Sequence, residues 1–281
     1  MIIITEQHLK TISEAIKNYS GIVMERVTQR LAEKKIITQM EILGVQNPST
    51  YVEFIKQYEA NTKIIDALID SITISESYLF RNPRQFEYLL TEYFPQFFEN
   101  NKYRYPLRIW SAGCSHGEEP YSIAIIAKDF QKTHSNARFT INAGDINQLS
   151  LSKAKKGVYT AKSLHDKLEI FEQKLGYPIG EYDEKGNCLI SQNIKNMVEF
   201  QKLNLKNISK LKIMTGSDII FCRNVLIYFD EALRSKLIET FFDCLNPGGL
   251  LFLGESECFS YAAKVFELRN IQGSYAYRKP K

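Results

Sequence analysis

Three polar runs in this chain could do chemistry, and each follows a short apolar stretch. The first is Ser111-Ala112-Gly113-Cys114-Ser115-His116-Gly117-Glu118-Glu119. Gly113 and Gly117 would let a ligand approach the backbone closely. Ser115 stands three residues before Glu118, the spacing of a capping box for a following helix. The second run is Gly144-Asp145-Ile146-Asn147. A carboxylate there can accept both hydroxyls of a ribose, and Ile146 beside it can pack on an adenine face. The third, Cys222-Arg223-Asn224-Val225-Leu226-Ile227-Tyr228-Phe229, sets an Arg and an Asn ahead of an aromatic cluster. A dinucleotide suits these runs badly: GxGxxG is missing, and two acids at a helix start repel a pyrophosphate. A nucleoside without phosphate suits them better. S-adenosyl-L-methionine, which carries a ribose, an ammonium and a sulfonium, is such a ligand.

The elements that must position these runs follow from patterning. Leu107–Gly113, Ala137–Asp145, Ser217–Asn224 and Leu250–Glu255 read as strands. Glu118–Phe130 and Ser150–Gly157 read as helices, as does Asp230–Asn246, with Leu233, Leu237, Phe241 and Leu245 at i, i+4 steps and Asn246-Pro247-Gly248-Gly249 as its stop. This alternation predicts a parallel sheet covered on both faces, with ligands at the carboxyl ends of its strands. The C-terminal residues read as an antiparallel hairpin. Between Lys174 and Phe200 the alternation breaks, and a turn at Asp183–Asn187 with strand-like flanks predicts a small antiparallel insertion, about residues 176–197.

Residues 5–73 read as helices. Leu9, Ile12, Ile16 and Tyr19 form one apolar stripe; Ile64, Ile65, Leu68, Ile69 and Ile72 form another. Gly44 and Asn47-Pro48 punctuate between them, with Ser49 or Thr50 as the next cap. Asn82-Pro83 opens a further helix through about Asn100, with Asn82 as cap and Pro83 in the first helical position. The expected class is α/β: a parallel sheet with a small antiparallel insertion, preceded by an all-α N-terminal bundle.

Composition narrows the classes. With 281 residues, 44% apolar and 24% charged, the chain is neither collagenous nor disordered. Its longest apolar stretches are about five residues, as in Ile123–Ala127, whereas a membrane helix needs roughly 20. The opening MIIITEQ lacks the basic start of a signal peptide, so a cytoplasmic protein is expected. Net charge is +4; residues 1–70 carry 8 basic and 9 acidic side chains, which leaves +5 on the rest. No basic block is long enough for nucleic acid. Five cysteines, none in CxxC spacing, and four scattered histidines give no metal site. Cys222 and Cys244 are expected to be buried, Trp110 to pack in the sheet, and His116 to have no catalytic role.

Five runs occur in order: Ser75-Glu76-Ser77-Tyr78-Leu79-Phe80-Arg81, RIWSAGCSHGEEPYSIAI, GDIN, FCRNVLIYFD and LFLGESE. Together they resemble the CheR-type glutamate O-methyltransferases of bacterial chemotaxis, over roughly residues 5–280. The resemblance implies an all-α N-terminal domain of four helices (residues 1–73), a linker with a connecting helix (74–106), and a Rossmann-like domain (107–281) using S-adenosyl-L-methionine with release of S-adenosyl-L-homocysteine. It implies that Ser75, Ser77 and Arg81 reach over the cofactor, that Glu118 and Asp145 are its acidic contacts, and that Asn204-Leu205 lie near the adenine. Gly113 and Ile146 join this set, as do Cys222-Arg223 at the fourth strand end. Arg81 and Tyr228 match the residues nearest the transferred methyl. Ser75 and Ser77 stand where Asn and Thr are usual; Ser77 keeps a hydroxyl, and Ser75 replaces an amide.

The implied substrate is a glutamate of a methyl-accepting chemotaxis receptor, already ionised at neutral pH (reference pKa about 4.3), so no general base is needed. Arg81 has the donor fork for a carboxylate, the substrate's or the cofactor's own. Tyr228 can pack on the methyl or hydrogen-bond the glutamate. The implied partner is the receptor's cytoplasmic helical region. The insertion in some relatives takes a receptor C-terminal peptide by strand addition. Neither nucleic acid nor membrane insertion is expected, and the chain is expected to be a monomer. Two alternatives remain: a methyltransferase for nucleic acid or a small molecule, whose usual Asn/Asp-Pro-Pro-aromatic motif is replaced here by CRNVLIY, and a non-catalytic signalling module.

Overall fold

The computed structural model describes residues 2–24, 29–73, 76–160, 164, 171–173, 175–257 and 261–281. Ser75 and Cys258 lie outside the described residues. Four helices come first: α1 (Glu6–Ser20), α2 (Gln29–Ile42), α3 (Pro48–Lys56) and α4 (Lys63–Ile72). The stripes predicted for the first and last meet in one core, where Ile12, Ile16, Ile65, Leu68 and Ile69 are all buried. The cap of α3 is Asn47 rather than Ser49 or Thr50: the Asn47 side chain accepts the Ser49 N–H at 2.9 Å. α5 (Pro83–Tyr88) continues through a π turn, Leu89–Tyr93, into α6 (Phe94–Asn100). Asn82 occupies the N-cap position of α5, but it is left-handed (φ 59°) and its side chain makes no cap bond.

The sheet domain contains, in chain order, β1 (Leu107–Ala112), α7 (Glu118–Thr133), β2 (Phe139–Asp145), α8 (Gln148–Lys156), β3 (Val158–Tyr159), β4 (Gly180–Tyr182), β5 (Cys188–Ile190), β6 (Val198–Lys202), β7 (Ser217–Cys222), α9 (Glu231–Cys244), β8 (Leu245–Leu253), β9 (Glu267–Ile271) and β10 (Ser274–Arg278). The main sheet runs β6-β2-β1-β7-β8-β10-β9. The first five strands are parallel, and β10 is antiparallel to both neighbours. From β1 the chain winds outward to β2 and β6, then crosses to β7 on the other side. The winding therefore reverses between β1 and β7, and a crevice opens at their carboxyl ends.

Both sheet faces are covered, which is why the central strands are apolar throughout. Ile109, Ile219, Phe221 and Phe252 pack towards α5, α6 and α7. Trp110, Ile220, Cys222 and Leu251 pack on the opposite side with α9 and the N-terminal helices. A smaller antiparallel sheet, β3-β5-β4, takes its third strand from Val158–Tyr159, ahead of the segment 176–197.

Two further expectations are corrected, and one strand was missed. Asn246-Pro247-Gly248-Gly249 lies inside β8; α9 stops at Cys244 because Leu245 is already extended. β6 was unforeseen, because VEFQK is a half-exposed edge strand of mixed polarity. Ser115 caps nothing: α7 starts after a left-handed Gly117 without a side-chain cap.

The N-terminal helices are fastened to the rim of the sheet. Asn147 donates to the Asp70 carbonyl (3.0 Å) and the Thr73 hydroxyl (2.7 Å). Lys202 pairs with Asp66 at 2.7 Å. Past α1, Val23 N–H donates to the Tyr228 carbonyl at 2.9 Å, and Ile22 bridges Phe229.

Candidate active site

The crevice holds a cavity of about 370 Å³, within the usual range for small-molecule sites. Its floor is made by four strand ends. After β1 comes Gly113, left-handed at φ +83°; a Cβ there would lie 2.4 Å from a methyl of Val225, so only glycine fits. Ser115 is also left-handed (φ 50°), because its N–H turns to donate to Asp145 at 2.8 Å. Asp145, ending β2, takes the Asn147 N–H as well, at 2.8 Å. One carboxylate thus ties two loops together. Burial pushes its pKa up, and these backbone donors oppose the rise.

The roof is the segment from Glu76 to Arg81. Arg81 sits between two left-handed residues, Phe80 (φ 56°) and Asn82 (φ 59°), a conformation that survives only where contacts enforce it. Phe80 N–H donates to the Ser122 hydroxyl at 2.9 Å, and its ring stacks on Phe171 at 3.9 Å. The Arg81 guanidinium donates to the Glu76 carbonyl at 3.2 Å, and the Arg81 carbonyl accepts from Arg223. Arg223 is 7% exposed and pairs with Glu119 at 3.3 Å. Glu119 also accepts the Ser111 hydroxyl at 2.7 Å. Burial works against both charges of this pair, and each relieves the other.

The predicted residues divide. Ser77 and Arg81 line the cavity from above, Gly113, Asp145 and Ile146 from the first two strand ends, and Arg223 and Tyr228 from the β7 loop. Asn204 and Leu205, after β6, also line it. The Asn204 side chain is committed to the scaffold, however: it donates to the Tyr19 carbonyl at 2.7 Å and accepts the Lys206 N–H at 3.0 Å. Cys222 is not among the lining residues; it is fully buried and packs on the Trp110 side of the sheet. Glu118 does not line the cavity either; its carboxylate lies at the start of α7, close to Ser77. Burial lifts its pKa to about 7. His116 is 3.9 Å away, but burial lowers its pKa, so at neutral pH it lends no charge. Tyr228 is half-buried, and desolvation raises its phenol pKa, so it stays protonated.

Residues that sequence reasoning passed over include Glu119, Phe86, Ile22 and Phe229, all on the cavity wall. Glu119 was visible only as the second acid of a helix start, and its partner Arg223 lies on a distant loop.

Around the crevice, Glu118 Oε2, Ser115 Oγ and Arg223 Nε are buried polar atoms with no hydrogen-bond partner among the described residues. Two are acceptors beside an acidic rim. A ribose diol and an ammonium suit such a rim, and phosphate does not. Ile146, Leu203 and Leu205 supply an apolar wall for a base. The residues present therefore fit S-adenosyl-L-methionine. Among the described residues no group of three His, Cys, Asp or Glu could hold a metal ion, and no helix is long and apolar enough to cross a membrane.

Comparison with known proteins agrees. Residues 75–274 match the family described as CheR methyltransferase, SAM binding domain. The chain is 30% identical to chemotaxis protein methyltransferase 2 of Vibrio cholerae, over 99% of this chain and 95% of that protein. It is 33% identical to the chemotaxis protein methyltransferase of Borreliella burgdorferi, over 90% and 89%. With the Escherichia coli chemotaxis protein methyltransferase it shares 31% identity over 98% and 92%.

Proposed function

This chain belongs to the CheR methyltransferase family and uses S-adenosyl-L-methionine; from that premise we propose that it methylates glutamate side chains of chemotaxis receptors, giving glutamate methyl esters and S-adenosyl-L-homocysteine. The observation that carries this reading is the acidic rim at the β1/β7 crevice, lined by Glu119 and Asp145, with Arg81 held above it. In this reading residues 107–281 form the catalytic domain, 74–106 the link, and 1–73 a helical domain that closes over the rim.

S-adenosyl-L-methionine, when bound, supplies a methyl group on a cationic sulfur. Asp145 accepts the ribose hydroxyls, Glu119 faces its ammonium end with Glu118 behind Ser77 on the same side, and Ile146 and Leu205 flank the adenine. Ser77 supports the same end from the roof. Arg81 orients a carboxylate with its planar fork. The substrate glutamate is ionised at neutral pH, so no side chain need remove a proton. Approach and dryness are what the protein contributes: orienting two reactants is worth on the order of 7–11 kcal/mol in favourable cases. Ground-state attraction between carboxylate and sulfonium fades as their charges cancel, so pairing alone would not accelerate transfer. Tyr228 stands at the rim as a protonated phenol, able to hydrogen-bond the incoming carboxylate or pack on the methyl.

The receptor's cytoplasmic helical region is the partner in this reading, and the edge of β4 is the place where a receptor C-terminal peptide would add as a strand. The protein works as a monomer in the cytoplasm. Incubation with methyl-labelled S-adenosyl-L-methionine and receptor-bearing membranes tests the function. The expected result is label on the receptor that mild base releases. Label that resists base, or that goes to RNA or small molecules, would overturn it.

A further inference from the structure

The turn after β8, Gly254-Glu255-Ser256-Glu257, has no part in the chemistry described so far. Yet Glu257 is 1% exposed, which is unusual for a carboxylate. Its Oε2 accepts the N–H of Asn224 at 2.7 Å and of Gly254 at 2.8 Å. Its Oε1 accepts the N–H of Ile227 at 3.2 Å. Two of these donors belong to the loop after β7, which brings Arg223, Asn224, Val225, Ile227, Tyr228 and Phe229 to the cavity wall. Asn224 is left-handed (φ 59°), so the loop needs an outside hold to keep its course. Glu257 itself does not line the cavity. An ionised carboxylate is acceptor-only and can serve several N–H groups at once. An amide in its place turns a donor onto one of them.

We propose that Glu257 is a positioning residue for methyl transfer: its buried carboxylate fastens the loop 223–229 so that Arg223 and Tyr228 keep their places at the rim. The inference rests on the reading of the cavity as the S-adenosyl-L-methionine site. Among its hydrogen bonds, none goes to Asp145, Asn204 or Leu205, which hold the nucleoside side of that site. Loss of the carboxylate therefore separates rate from nucleoside affinity.

The experiment measures kcat for receptor methylation, and S-adenosyl-L-homocysteine affinity by calorimetry, in wild type, Glu257→Gln and Gly254→Ala. A Cβ at Gly254 would lie 2.8 Å from Glu257 Oε2 and 3.0 Å from Asn224 Nδ2. The second variant thus displaces the same carboxylate without removing it, and decides the matter should Glu257→Gln fail to fold. Expected is a loss of roughly tenfold or more in kcat, from a small misplacement of the loop, with product affinity within about threefold of wild type. A merely structural role would lower affinity and kcat together. Folded variants with unchanged kcat, or with affinity lost as much as rate, overturn the proposal. Wild-type protein that does not bind S-adenosyl-L-homocysteine would instead overturn the reading of the cavity.

Discussion

Glu118→Gln probes the most perturbed acid at the site. Glu118 is 1% exposed, one carboxylate oxygen has no partner among the described residues, and burial raises its pKa from an ordinary 4.5 to about 7. In the unfolded chain the group titrates near its ordinary value, so the folded form holds its proton to higher pH. Its contribution to stability is fully present below the unfolded pKa and is lost as pH rises through about 7. That difference corresponds to about 3 kcal/mol. Glutamine keeps the shape and never ionises. Urea unfolding should therefore give equal stabilities near about pH 4.5 and a variant more stable by up to about 3 kcal/mol near about pH 8. Equal stabilities at both values, or a gap independent of pH, would refute the buried titration. The ligand supplies a second arm. An ammonium brought close to Glu118 lowers its pKa again, so wild-type affinity for S-adenosyl-L-homocysteine should rise roughly tenfold or more from about pH 5.5 to about pH 8, with proton release that the variant lacks. A flat profile in both proteins would show that the ammonium does not sense the Glu118 charge from behind Ser77 and would leave the stability result untouched.

Gly113→Ala should lower folding stability by at least about 1–2 kcal/mol, the cost of a left-handed alanine, before the clash with Val225 is counted; adding Val225→Ala should recover part of the loss, and urea unfolding showing wild-type stability in the single variant would refute the need for glycine here. Arg81→Ala should abolish most methyl transfer, and Lys should not restore it, because an ammonium lacks the planar fork. A raised KM for receptor with unchanged product affinity would assign the fork to the substrate carboxylate, the reverse would assign it to the cofactor's, and full transfer by the alanine variant would remove both roles.

Where a strand is buried on both faces, its composition announces it. β1 and β7 read as apolar runs that end abruptly in polar residues, and those endings are where the cavity lies. β6 gave no such signal because it is a half-exposed edge strand, although it delivers Asn204 and Leu205 to the wall. Asn246-Pro247-Gly248-Gly249 has the composition of a helix stop, yet the chain had already become extended at Leu245. Ser115 had the spacing of a cap, but its N–H is taken by Asp145, a partner thirty positions away. Glu119 and Arg223 illustrate the same limit. Each is a common residue in a common place, and the pair exists only because β1 and β7 are neighbours in the sheet.

The electrostatics of the crevice also favour a ligand that brings positive charge. Glu118, Glu119 and Asp145 each have a pKa pushed up by burial, so gathering them costs stability that a neutral core would not. Among the described residues, Glu119 is the one of the three with a cation paired to it, Arg223 at 3.3 Å. Asp145 is held by backbone N–H groups that it shares with two loops. Glu118 is left with an unfilled oxygen. Such an arrangement is improved by a ligand that brings hydroxyl donors and positive charge, and made worse by one that brings phosphate. The same feature explains the tight fastening of the roof: Phe80, Ser122 and Arg223 hold the Arg81 segment against a site whose carboxylates would otherwise draw in water.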